Sequence, residues 1–362
     1  MFPTNYSDII KQIDAIDPVQ YGKTRNYMDG AVTKLSPYIS RGIISTKQIA
    51  KAVLDKGYKP YEIEIFLKEL AWRDYFQQVW IVKQNEIDKD LKQAQSNVSN
   101  HQIPAAVTAH QTGIIAIDNA IAALYETGYM HNHLRMYVAS LCCNVAQSHW
   151  HQPAQWMYYH LLDADWASNA LSWQWTAGCF SSKKYYANQD NINKYCYTHQ
   201  QNTFLDLSYE NIEDIDVPEE LRSLTELALT TNLPEVAPLN IDDNLPFCIY
   251  NFYNMDCNWL TELNANRILL LEPDFFKKYP VSDKTIRFVL DLSKNITNIQ
   301  VFVGAFDDLL GMVAPEKIHF KEHPTNQHYK GIQYSRDWMF EEVTGYYPSF
   351  FSYWKKGEKY LK

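Results

Sequence analysis

The apolar positions of this chain change period along its length. Through residues 1–200 they recur at helical spacing. Ile9, Ile10, Ile13 and Ile16 mark a first helix. Ser45 is placed to cap a helix through Ile49 and Val53 that stops at Gly57. The stripe Ile65, Phe66, Ala71, Trp72, Phe76, Val79 and Trp80 predicts a long helix over Tyr61 to Val82. Residues 85–105 are polar and broken by Asn, Ser and Pro104, which predicts a loop or short helices. Helices resume over Ala116 to Tyr125, His133 to Ser148 and Ala154 to Leu162, with Gly128 in C-cap position after the first of these. Residues 201–243 are acidic and end in a proline-containing run, the composition of a surface linker. Beyond them the apolar runs have strand length: Phe247 to Phe252, Arg267 to Leu271, Ile299 to Val303 and Ile318 to Phe320. Helical stretches are predicted between them at 258–264, 282–293 and 307–312. Strand–helix alternation argues for a parallel sheet with crossover helices. No glycine-rich phosphate loop follows any of these strands, so a nucleotide site is not expected there. The expected organisation is a helical domain over 1–200, a linker over 201–243 and an α/β domain over 244–362.

A length of 362 residues suits about two domains. The net charge of −9 is uneven: residues 1–200 carry +1 and residues 201–362 carry −10. Any nucleic-acid groove must therefore be a local patch in the first half. The acidic second half is a candidate surface for a protein partner. Aromatic residues make up 14% of the chain, which serves either core mass or a flat ligand. No run of about 18 apolar residues predicts a membrane span. The first residues lack a basic and apolar leader, so a cytoplasmic location is expected. Cys142, Cys143, Cys179, Cys196, Cys248 and Cys257 contain no C-x-x-C pair. Neither a metal site nor a disulfide framework is expected, and free thiols are.

The densest chemistry lies between Thr127 and Trp175. Gly128-Tyr129-Met130-His131-Asn132-His133-Leu134-Arg135-Met136 is followed by Asp163-Ala164-Asp165-Trp166-Ala167-Ser168-Asn169-Ala170-Leu171-Ser172-Trp173-Gln174-Trp175. Arg135 can pair with Asp163 or Asp165. An Asn and a carboxylate can meet the polar edge of a flat heterocycle, and Trp can stack on another ring. A polar loop closed by an Arg–Asp pair over a Trp-rich core is the structural alternative.

These two blocks resemble the photolyase/cryptochrome signature, G-W-M-H-N-R-L-R-M followed by D-x-D-x-x-x-N-x-x-x-W-Q-W. Three upstream pieces fit in the same order. Thr33-Lys34-Leu35-Ser36-Pro37 resembles the T-S-R-L-S-P loop, Glu69-Leu70-Ala71-Trp72-Arg73-Asp74-Tyr75-Phe76 the E-L-x-W-R-E-F helix, and Thr112-Gly113 with Asp118 the T-G-x-x-x-x-D element. The resemblance covers roughly residues 1–200 and implies an all-α FAD-binding domain. It implies that Tyr21, Arg25, Lys34 and Ser36 hold the FAD diphosphate, and that Trp72 and Arg73 line the cofactor cavity. Asn132 and Arg135 would face the cofactor, Arg135 would pair with Asp163, Asp165 would accept from flavin N3–H, and Asn169 would sit at flavin N5. Trp173 and Trp150 match the two inner members of the family's electron-transfer chain. No Trp lies between Trp80 and Trp150 to serve as the outer member.

Glu69, Trp72, Met136 and Trp175 match positions that contact a flipped-out pyrimidine dimer, as base extrusion requires. Repair of cyclobutane pyrimidine dimers in DNA is the activity this implies, with Glu69, Asn169, Met136 and Trp175 as its catalytic set. Against it, His133 replaces an Arg of the motif, and Lys184-Tyr185-Tyr186 lacks the Arg of the family's P-Y-F-R segment. Phosphate contacts dominate DNA affinity, so these losses weaken the case. A blue-light photoreceptor of cryptochrome type is the alternative. Cys196 has no second Cys beside it, so no iron–sulfur cluster is expected. Family members usually begin with an α/β antenna domain. Here the α/β pattern lies at the C-terminal end, either as a relocated antenna-like domain or as an unrelated Rossmann-like, parallel-sheet appendage.

Overall fold

The computed structural model describes residues 2–361. The chain forms two compact units, one from Met1–Val19, Thr33–Val82 and Thr230–Lys362, the other from Gln20–Val32 and Lys83–Leu229. This division runs otherwise than the expected 1–200, 201–243 and 244–362, because early helices group with the late sheet.

The first unit opens with α1 (Tyr6–Asp14), α2 (Thr46–Asp55) and α3 (Glu64–Lys83). Ser45 caps α2 as its position predicts, accepting from the Gln48 N–H, and Gly57 follows with φ of +93°. α3 buries more than one face, including Asp74, Gln77 and Gln78. These polar groups are not wasted: they bind the backbone and side chains of the C-terminal segment. Asp74 accepts from Met339 N at 2.8 Å, Gln78 from Gly345 N at 2.9 Å, and Gln77 from Arg336 at 2.8 Å. A buried polar group is tolerated only when so paired.

The second unit is built from α4 (Ile115–Thr127), α5 (Asn132–Ser140), α6 (His151–His160), α7 (Trp166–Ala177) and α8 (Gln189–Cys196). Gly128 ends α4 in the left-handed region at φ +73°, the cap expected from its position. α5 ends sooner than the predicted Ser148 and runs on as a short π-helical turn, Leu141–Val145. The early part of the expected linker is also structured here. Leu224–Thr225 pairs antiparallel with Ile103–Pro104, and Ile212 and Leu221 are buried.

In the rest of the first unit, five parallel strands form one sheet: β1 (Phe247–Tyr250), β2 (Asn266–Leu271), β3 (Ile299–Val303), β4 (Ile318–Lys321) and β5 (Ile332–Tyr334), in the order β3-β2-β1-β4-β5. The two central runs are buried throughout, as strands covered on both faces must be. α9 (Pro273–Lys278) and α10 (Asp283–Ser293) cross from β2 to β3. Phe247, Ile249, Ile268, Leu270, Phe306, Ile318 and Phe320 form the core. Each such side chain contributes roughly 1.5–3 kcal/mol when removed from water. α11 (Phe350–Gly357) closes the chain.

One expectation fails here for an identifiable reason. Residues 258–264 form turns, not a helix. Leu260 lies at φ +50°, and buried Arg267 takes the carbonyls of Trp259, Leu260 and Leu263 at 3.4, 2.6 and 3.0 Å. Those acceptors are drawn to one side chain instead of a helical ladder. The late part of the linker is tied down as well: Asn240 and Gln300 exchange hydrogen bonds of 2.7 and 2.8 Å, and Leu239 and Ile241 pack on the sheet core.

Candidate functional site

The second unit holds most of the residues expected to carry chemistry. Arg135 projects from α5, and Asp163 lies just before α7. The guanidinium donates to both carboxylate oxygens at 2.9 and 3.1 Å, while its Nε binds the Met130 carbonyl at 2.9 Å. Of the two partners open to Arg135 in the sequence, Asp163 is the one engaged, with only 4% of its side chain exposed. A forked pair of this kind fixes geometry as well as charge. Asp165 caps α7 by accepting from the Ser168 N–H at 3.1 Å.

Asn169 stands one turn into α7. Its Nδ2 donates to the Ala154 carbonyl at 2.8 Å, which fixes which end of the amide points away from α6. Trp173 follows four positions later on the same face and is buried at 2% exposure. Trp175 faces elsewhere and is 38% exposed, with its ring against Tyr185 at 5.8 Å. Ser168 Oγ is buried and has no hydrogen-bond partner among the described residues. A buried hydroxyl left unpaired between Asp165 and Asn169 fits a polar ligand edge at this place. The donor set therefore suits a flat heterocycle with mixed donors and acceptors.

Asn132 is exposed at the start of α5, and Met136, one turn on, is partly buried. His131 caps the same helix, its Nδ1 accepting from His133 N at 3.2 Å. His133, at the position of a family Arg, is turned inward. Its Nδ1 lies 2.9 Å from the Asn26 carbonyl, and its ring packs on Tyr137 and Tyr195 at 4.6 and 4.7 Å. Burial and the nearby Arg25 charge hold its pKa below the usual histidine value. It is neutral at pH 7 and does not replace the lost cation. Tyr21 and Arg25 lie one turn apart, the Arg25 N–H closing on the Tyr21 carbonyl at 2.9 Å.

Within the first unit, Lys34 is exposed at φ +53° and Ser36 opens a short helix, Ser36–Ser40. Arg73 from α3 reaches this helix, donating to the Ser36 carbonyl at 3.3 Å and to Ser40 Oγ. Glu69 and Trp72 share a face of α3. The flat face of Trp72 is covered: Phe350 of α11 stacks on it at 3.8 Å between ring centroids and 10° between planes. Nothing in the sequence marks Phe350 for this place.

Trp150 is fully buried just before α6, and its indole Nε1 donates to Asp90 Oδ1 at 2.7 Å. Asp90 comes from the polar stretch read as a loop. No local pattern connects it to a tryptophan sixty positions on, so sequence reasoning misses it. All six cysteines are free, and no group of metal-binding side chains is found among the described residues. No helix there is long and apolar enough to cross a membrane.

Residues 66–209 match the family described as the FAD binding domain of DNA photolyase. A deoxyribodipyrimidine photo-lyase of Alkalihalophilus pseudofirmus is 31% identical over 40% of this chain and 31% of its own length. A chloroplastic/mitochondrial cryptochrome DASH of Ostreococcus tauri is 33% identical over 44% of this chain and 30% of its own. A solved cryptochrome structure from Synechocystis sp. is 26% identical, with a TM-score of 0.49, over 54% of this chain and 44% of that one. The chain thus spans about a third of the length of the curated relatives it matches. Through the segment that carries the Arg135–Asp163 pair and Asn169, this chain is similar to the FAD binding domain of DNA photolyase and to relatives named as photo-lyase and cryptochrome DASH.

Proposed function

We propose that this protein is a photolyase-type flavoenzyme that uses light-driven electron transfer to split cyclobutane pyrimidine dimers in DNA. The observation that carries this reading is the α5–α7 arrangement: a forked Arg135–Asp163 pair beside Asp165, an unpaired buried Ser168 hydroxyl, an oriented Asn169 amide and buried Trp173. Bound FAD would supply the one-electron chemistry. Asp165 would accept from flavin N3–H, Asn169 would meet N5, and Asn132 would face the cofactor with Arg135. Tyr21 and Arg25, and in the first unit Lys34, Ser36, Trp72 and Arg73, keep the cofactor roles that the sequence resemblance gives them. In the second unit, Trp175 with Met136 would supply stacking surface for an extruded lesion, and Glu69 and Trp72 keep the lesion-contact roles that the sequence resemblance gives them. Damaged DNA is the proposed partner. Asp165→Ala and Asn169→Ala are each expected to lower the FAD retained on purification, read from the ratio of flavin to protein absorbance. Wild-type FAD content in both variants would remove these residues from the site.

The Phe350–Trp72 stack favours a second reading, a flavoprotein that senses light without repairing DNA. An aromatic ring already fills the Trp72 face on which an extruded base would stack. Phe350→Ala separates the two. If the chain is a repair enzyme restrained by this contact, the variant splits thymine dimers in an oligonucleotide under blue light faster than the wild type. No dimer loss by either form, with FAD bound and reduced, supports the photoreceptor and contradicts repair.

A further inference from the structure

Asp90 collects an unusual set of donors in the second unit. Its Oδ1 accepts from Trp150 Nε1 at 2.7 Å and lies 3.0 Å from His149 Nε2, and its Oδ2 accepts from Gln95 N at 2.8 Å. Burial and the charge of the same carboxylate push the Cys179 thiol pKa up. Gln95 closes the loop, since its Oε1 accepts from Trp150 N at 2.9 Å. His149 Nδ1 accepts from His151 N at 3.4 Å, which leaves Nε2 as the protonated nitrogen facing Asp90. The His149 ring stacks on exposed His101 at 4.9 Å. The network thus runs from a fully buried indole to the protein surface.

We propose that Asp90 is the proton acceptor for Trp150 when that indole is oxidised, so that the electron route ends on a neutral tryptophan radical beside a protonated Asp90. The proposal rests on the flavin reading above, with Trp150 as an electron donor. An indole that has lost an electron is many orders of magnitude more acidic than the neutral indole. Trp150 has no exposed surface, so water cannot take its proton directly. Asp90, with 22% of its side chain exposed, can take it and pass it outward. In the step, one electron leaves Trp150 towards the ring that photoexcited FAD has oxidised. The indole N–H bond then breaks, its electron pair stays on nitrogen, and the proton joins Asp90 Oδ1. A thiol in solution later returns the electron, and Asp90 returns the proton. Burial pushes the Asp90 pKa up, but the hydrogen bonds from Gln95, Trp150 and His149 outweigh it and keep the carboxyl below its usual value. It is ionised at neutral pH, and the drive for transfer comes from the acidity that the indole gains on losing its electron. Proton loss would trap the oxidised ring against charge recombination, which accounts for an electron route without a third tryptophan upstream.

The test is transient absorption of the full chain with bound oxidised FAD after a blue flash, in H2O and in D2O. The spectrum separates the tryptophan radical cation from the neutral radical. In the wild type the cation is expected to give way to the neutral radical, more slowly in D2O. In Asp90→Asn, which keeps an oxygen facing the indole but is no base, proton loss is expected to slow by ~10²-fold. Asp90→Glu is expected to restore it. A second readout needs no flavin: the Trp150 indole N–H resonance, assigned with Trp150→Phe, is expected to move upfield in Asp90→Asn. Neutral radical formed at the wild-type rate in Asp90→Asn would overturn the proposal and leave the flavin reading standing. A flash signal unaltered in Trp150→Phe would remove Trp150 from the electron route and overturn both the proposal and that part of the reading.

Discussion

Arg135→Ala is expected to destabilise the protein by about 3–5 kcal/mol, the cost of breaking a buried ion pair by removing one of its charges. Asp163 has only 4% of its side chain exposed and receives two hydrogen bonds from this one guanidinium. The variant also loses the Arg135 contact to the Met130 carbonyl, which holds the turn into α5. Urea unfolding of the wild type and the variant measures the first effect, and flavin absorbance the accompanying loss of FAD. Arg135→Met combined with Asp163→Leu is expected to cost less than Arg135→Ala alone, because no charge is then stranded. A single variant as stable as the wild type would mean that Asp163 finds water or another partner.

Asp74 is expected to make stability fall as pH rises from about 4 to about 7. It is wholly buried on α3. Burial raises its pKa from 3.8 to about 6, against the opposing pull of the Met339 N–H, the Thr46 hydroxyl and the charges of Arg336 and Arg73. A carboxyl whose folded pKa lies above its unfolded value binds its proton more tightly in the folded state. Its contribution is complete below the unfolded value and is lost as pH rises through the folded one. The loss is about 3 kcal/mol by pH 7, taking 1.36 kcal/mol for each pKa unit. Asp74→Asn keeps an oxygen to accept from Met339 N and Thr46, and is expected to recover most of that loss. Urea midpoints of both proteins between pH 4 and pH 8 check this. Parallel curves for the two would show that Asp74 stays ionised or is already protonated across the whole range.

Much of the local structure is legible in the sequence because it rests on local physics. Ser45 and Gly128 end up as caps, and the 64–83 helix follows its apolar stripe. Four of the five strands show as strand-length apolar runs. β5 escapes because its residues Ile332, Gln333 and Tyr334 lie at the sheet edge and are largely solvent-exposed, so no apolar run marks it. The helix expected at 258–264 fails because the side chain of Arg267, on the strand that follows, competes for its carbonyls. In the site, the Arg135–Asp163 pair is readable from motif and charge. Asp90 and Phe350 are not, because their partners Trp150 and Trp72 lie far along the chain and neither has a spacing rule to announce it. Residue type and period reveal elements and their caps; contacts set by chain return are left to the three-dimensional fold.

The most direct test of the central claim is the absorption spectrum and FAD stoichiometry of the purified full chain, before and after Asp165→Ala. A near-equimolar flavin spectrum that is lost or weakened in the variant is the expected result. A colourless protein that takes up no added FAD, or one whose flavin is unaffected by the substitution, would contradict it.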